Sequence, residues 1–357
     1  MDAINGAGAT RARERWPRHR AGKSQRTNGT APGEAGGALY GALDLGTNNC
    51  RLLIAASAKG GFTVVDAFSR IVRLGEGLSA AGELHEAAIH RTIEALRVCA
   101  NKLTWHGVER RRLVATEACR MARNGAYFIE MVRLETGLEL EIIGREEEAK
   151  LAAAGAEPLI DDTASSALIF DIGGGSTELM WLARTPIGAE IKAWTSLAAG
   201  VVTISERFGG IDVTPQIYAA MRTHISTMVD EFAARVAESV APGLPDHLLG
   251  TSGTVTTIAG VKLGLRRYDR SRVDGCWLDA SAIIDVSANL RAMSYLERAQ
   301  NPCIGKDRAD LVLAGCAILE EIHRAFPAAR IRVADRGLRE GMLTRMMKDD
   351  GNYGSEP

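Results

Sequence analysis

Two short segments of this chain match each other, ALDLGTNNCRLLI at 42–54 and IFDIGGGSTELMW at 169–181. In each, an apolar run ends in Asp, a tip of Gly and small polar residues follows, and a second apolar run resumes at strand spacing. That pattern predicts a β-hairpin with a polar tip. Asp44 and Asp171 stand 127 residues apart, about one domain length, so the 357 residues are expected to form two related lobes, each opening with such a hairpin. A cleft between the lobes would face both tips.

The rest of the chain alternates helix and strand, as an α/β protein does. Apolar residues recur at helical spacing over 84–102, 126–135, 216–239, 280–291 and 309–324, and strands are predicted over 112–116, around Leu248 and over 331–334. Punctuation at 158–166 sets the expected lobes at 38–160 and 161–347, with the last helix, from about Leu338, free to return to the first lobe and 348–357 a disordered tail. Residues 1–37 carry seven Arg/Lys against three Asp/Glu and no apolar core of a secretory signal, which predicts a solvated, disordered basic tail.

Composition narrows the function classes. A formal net charge of −1 gives no global field for nucleic acid or an anionic membrane, so neither is expected as a partner and any anionic ligand must be held locally. The six cysteines form no CxxC pair, which predicts reduced thiols and a cytoplasmic address. The longest apolar run, 311–319, is far short of the ~20 residues that span a bilayer.

The hairpin tips can do chemistry. Without Cβ atoms, Gly173, Gly174 and Gly175 let backbone amides converge on an anion, and Ser176 and Thr177 add hydroxyl donors; Gly46, Thr47 and Asn48 repeat the logic. Each loop alone also reads as an ordinary turn. Neither is a Walker A loop, since no Lys-Ser/Thr and helix follow. Asp44 and Asp171 would repel bound phosphates unless a divalent cation intervened, and Mg²⁺ takes one or two carboxylates plus phosphate oxygens and waters, so Asp171 with Asp44 and Glu178 is the candidate metal set, the competing role of the aspartates being to cap their turns.

Four further residues stand out. Glu148, third of three glutamates opening a helix, either stabilises the helix dipole at the surface or points into the cleft as a general base. Arg120, just beyond a strand end, reads as a phosphate fork or as an exposed helical arginine. In GTSGT, at 250–254, Gly253 and Thr254 could offer amides to another phosphate or a nucleoside. The basic run at 262–272 is either a solvated face or a polyanion track.

Taken in order, ALDLGTN (42–48), ATEACR (115–120), GREEEAK (144–150), FDIGGGSTE (170–178), GTSGTVTTIAG (250–260) and ADRGLREGM (334–342) resemble the motifs of the exopolyphosphatase and guanosine pentaphosphate phosphatase family. The resemblance runs from about 39 to 347. It implies an actin-like ATPase (ribonuclease H-like) fold, with Glu148 as the base that activates water, Asp171 and Glu178 as metal-linked acids, and Arg120 as a phosphate ligand. The glycine loops would hold phosphate. Thr47, Cys119 and Arg336 replace the Ser, Leu and aromatic residue common at those positions. The chain ends soon after GLREGM, so the additional helical domains of longer members are not expected, which puts long-chain processivity in doubt.

The expected activity is release of terminal orthophosphate from inorganic polyphosphate or guanosine pentaphosphate. Rivals are a small-molecule kinase of the same fold and a non-catalytic sensor of those anions. A homodimer is the commonest assembly for such an enzyme.

Overall fold

The computed structural model describes residues 38–185, 188–240 and 243–354. Residues 1–37, expected as a basic tail, lie outside the described residues.

The first lobe holds β1 (Leu39–Leu45), β2 (Asn49–Ala58), β3 (Gly61–Ile71), β4 (Arg110–Ala115) and β5 (Glu141–Ile142), in sheet order β3-β2-β1-β4-β5. The second holds β6 (Ser166–Ile172), β7 (Thr177–Thr185), β8 (Gly188–Leu197), β9 (His247–Thr251), β10 (Trp277–Asp279) and β11 (Arg330–Val333), in order β8-β7-β6-β9-β11-β10. In both, three antiparallel strands are followed by a strand parallel to the first. The second lobe thus repeats the first, with β10 added at its edge. Register makes the repeat exact at the working end, where Asp44 pairs with Arg51 and Asp171 pairs with Glu178.

Packing follows the sequence period. Helix Glu86–Trp105 buries Ile89, Ile93, Leu96, Cys99 and Leu103, one apolar stripe, against the first sheet's core. Helix Val312–Ala325 is apolar nearly all round and sits inside the second lobe, among Phe170, Leu248 and Phe232.

Two helices lie between the lobes. Helix Arg145–Ala156 turns Leu151 toward the first sheet's core, and Ala149, Ala153 and Ala156 toward Ile169, Met180 and Leu249 of the second. Helix Leu338–Asp349 comes back to pack Met342, Leu343 and Met346 with Tyr40, Ala42 and Leu53. The expected boundary near 160 therefore follows a helix whose faces serve both cores. The chain is also ordered past the expected limit of 347. The helix runs to Asp349, Asp350 accepts from Arg110 Nε and Nη2 at 3.0 Å each, and Asn352 Nδ2 donates to Tyr40 Oη at 2.8 Å. These polar residues find partners at the end of the first sheet, which a reading of local composition does not register.

The two middle helices touch backbone to backbone. A Cβ on Gly341 would fall 1.9 Å from Leu151 O, and one on Gly155 2.0 Å from Gly337 O. Gly341→Ala should therefore force the helices apart and cost about 3 kcal/mol, read as a fall of several degrees in Tm. An unchanged Tm would show that the crossing has room for a methyl group.

Candidate active site between the two hairpins

The hairpin tips are built alike. Gly46 N donates to Asn49 O, and Gly173 N to Ser176 O, both at 2.9 Å. The tips meet across the cleft, since a Cβ on Gly174 would lie 3.0 Å from Thr47 Cβ and 3.2 Å from Asn48 N. A side chain there would press on the opposite loop, which would have to give by a few tenths of an ångström.

A small cavity of about 70 Å³ sits at the tips, lined by Gly46, Thr47, Asn48, Gly173, Gly174, Gly175 and Ser176, with the carboxylates of Asp44, Glu148, Asp171 and Glu178. It adjoins a cavity of about 450 Å³ through shared Asp44, Arg51, Asp171 and Ser252. Gly253 lines the larger cavity, and Thr254 lines a side pocket of about 60 Å³.

Two expected residues stand elsewhere. Thr177 does not line these cavities; its hydroxyl donates to Ala199 O at 2.5 Å, fully buried. Arg120, expected as a phosphate ligand, does not line them either. Its Nε donates to Glu117 Oε2 at 2.9 Å, Nη1 to Ile143 O at 2.6 Å and Nη2 to Glu148 Oε2 at 3.0 Å. The guanidinium is committed to protein acceptors because Glu117 stands three residues earlier on the same short helix, within ordinary i,i+3 reach. Arg120 therefore holds Glu148 in place.

The cations facing the cavities come from residues the sequence reading did not select. Arg51 lines all three cavities, and Arg308, Arg336 and Arg339 line the largest. Arg51 could have been found by superposing the two hairpins, where it matches Glu178. The basic run at 262–272 plays a smaller part. Lys262 pairs with Asp285 and Arg270 with Glu340, and from that run only Tyr268 lines the large cavity. Ser252 was also missed. It adopts φ 77°, a left-handed conformation rare for a residue with a Cβ, and its hydroxyl donates to Ile172 O at 2.8 Å, tying the GTSGT turn to the second hairpin.

Electrostatics follow from burial. Burial pushes the Glu148 carboxyl well above its ordinary range, with the charge of Glu178 adding to the rise and Arg120 opposing it. Burial, then the charge of Asp171, pushes Glu178 up to about 7, although Ser196 and Ser176 each donate to it at 2.8 Å. Asp44 and Asp171 are raised by burial and held back first by Arg51. On the cation side, burial and the charge of Arg51 disfavour the charged form of Arg308. An anion in the large cavity would relieve these cations.

A repeated ribonuclease H-like sheet, two apposed glycine hairpins and a cleft rich in buried charge place the chain among two-lobed proteins of the actin-like ATPase fold. The chain belongs to the Ppx/GppA phosphatase family, whose sequence profile matches residues 53–350. Exopolyphosphatase 2 of Mycobacterium tuberculosis is 32% identical over 295 residues, covering 79% of this chain and 89% of that protein. The crystal structure of the Aquifex aeolicus Ppx/GppA family member superposes with a TM-score of 0.73 at 27% identity, over 88% of this chain and 98% of its own. An exopolyphosphatase from Cytophaga hutchinsonii shares the fold, with a TM-score of 0.77 at 24% identity, over 89% and 100% of the two chains. Among the described residues no helix is long and apolar enough to cross a membrane.

Proposed function

We propose that this chain hydrolyses the terminal phosphoanhydride of inorganic polyphosphate, releasing orthophosphate, with Glu148 as general base. The observation that carries the reading is the half-buried Glu148 carboxylate, held at 3.0 Å by Arg120 on the wall of the cavity between two matched glycine loops. The loops' amides would receive the terminal phosphoryl group, while the Ser176 hydroxyl is committed to Glu178. Arg51 would offset its charge from beside Asp44 and Asp171, and the larger cavity, with Arg308 and Arg339, would take the phosphates behind it.

The reaction balances simply. Water oxygen bonds to the terminal phosphorus and its proton passes to Glu148. The P–O–P bond breaks with its electron pair on the shortened chain.

The donor set fits Mg²⁺. Among the described residues no three His, Cys, Asp or Glu side chains cluster as a closed metal site. Asp44 and Asp171 on the cavity wall, with Glu178 beside Asp171, suit a cation that takes one or two carboxylates and fills its remaining positions with phosphate and water. Asn48 Oδ1 is buried there without a hydrogen-bond partner. When bound, the cation supplies charge neutralisation at the phosphates.

A second substrate is favoured by one feature. Tyr268, Pro302 and Ile304 give the large cavity an apolar wall suited to a nucleoside, so guanosine pentaphosphate would enter with its 5′ phosphates toward the hairpins. The free, unbridged thiols of all six cysteines support a cytoplasmic address.

The test is phosphate release from short and long polyphosphate, guanosine pentaphosphate, and ATP with glucose or acetate, with and without Mg²⁺. Metal-dependent release from the first three is expected. Phosphate transfer to glucose or acetate would make the chain a kinase, and binding without release would make it a sensor.

A further inference from the structure

Across the hairpin tips from the substrate cavity lies a groove of about 820 Å³ between the lobes. It shares Thr47, Glu117 and Gly175 with the small phosphate cavity, so the tips stand between two openings. We propose that this groove is the exit for product orthophosphate. The inference rests on the phosphohydrolase reading. After cleavage the orthophosphate lies between the tips while the shortened chain still fills the large cavity. Return by that route requires the chain to leave at every turnover, whereas the groove offers a path the chain does not block.

The neck is built to open. A Cβ on Gly175 would lie 2.7 Å from Thr47 Oγ1 and 3.0 Å from Glu117 Cγ, so without one the barrier facing this glycine is two side chains. Opening there needs rotation of these two buried side chains and no displacement of the backbone. Glu117 would repel a passing anion, but Arg120 and Arg145 both pair with its carboxylate and hold its charge. Further out, Arg207 lines the groove with a guanidinium. At the mouth the lobes are bridged by the hydrogen bond from Gly77 N to Glu206 Oε1 at 2.7 Å, a contact that a small lobe movement breaks.

Ala198 and Ala80, both exposed, line the groove from opposite lobes. Ala198→Trp, and separately Ala80→Trp, should narrow the exit without touching the reacting groups. Steady-state phosphate release should fall about tenfold, because release becomes limiting. The acid-quenched rate of a single turnover with enzyme in excess should stay at the wild-type value, and a burst equal to the enzyme concentration should precede the slow phase. Steady-state and single-turnover rates that fall together, or that both hold, would overturn the exit while leaving the hydrolase reading intact. Wild-type protein that releases no phosphate would overturn both.

Discussion

Replacing Glu148 with Gln should lower kcat by roughly 10²–10⁴-fold, the usual range for loss of a general base, with little change in KM. The amide keeps the shape and can still accept from Arg120 Nη2, yet it cannot take a proton from water. The pH dependence supplies a second readout. The base acts only when ionised, and burial lifts Glu148 well above the ordinary carboxylate range, so the wild-type rate should climb with pH through that raised value. In the Gln variant this acidic limb should vanish. Activity within about threefold of wild type would remove Glu148 from the mechanism.

The same substitution should not unfold the protein. A carboxyl whose pKa is raised on folding holds its proton more tightly in the folded state, so its contribution to stability is fully present below its unfolded pKa and is lost as pH rises through the folded one. For Glu178 that window runs from 4.5 to about 7, and Glu148 is raised in the same direction. Glu148→Gln removes one such opposed charge, and Arg120 keeps Glu117 as a partner. Its Tm at pH 8 should therefore equal or exceed that of wild type, which separates lost chemistry from lost structure.

Arg51→Ala should be the other large effect. Arg51 faces all three cavities and is the foremost charge holding down the pKa of both Asp44 and Asp171. Truncating a half-buried charge that faces an anionic ligand costs about 2 kcal/mol or more, so kcat/KM should drop by roughly 30-fold or more. With Arg51 gone, Asp44 and Asp171 should titrate higher, and metal-dependent activity should fade at a higher pH than in wild type. Arg51→Lys should recover part of the loss by restoring the charge without the planar fork. A kcat/KM for Arg51→Ala within about twofold of wild type would show that the phosphates lie elsewhere.

Much of this site is legible in the residues because its parts are local. A glycine tip between two apolar runs has few alternatives to a hairpin, and the six motifs of the family resemblance stand in chain order. The strand and helix ends read from periodicity fall near the observed ones, as at Arg110–Ala115 and Pro215–Ser239. The third strand of each sheet is harder to read. β3 lies at a sheet edge with a largely exposed pattern, and β8 is similarly half-exposed, so neither shows the apolar run that marks a buried strand. Thr177 reads as a loop donor from its type, yet its register on β7 turns it to Ala199 O.

The two hairpins, their glycine tips and paired aspartates, and the glutamate-rich helix between them are local features, each set by the sterics and hydrophobic spacing of a dozen neighbouring residues. Which charges meet is a long-range matter. Arg120 turned to Glu117 and Glu148, and the cavity drew its cations from positions 51, 308, 336 and 339. Local pattern records which face of an element is buried. Which distant side chain faces it depends on how two sheets close on helix Arg145–Ala156, whose faces serve both cores, and that is settled by packing over the whole molecule.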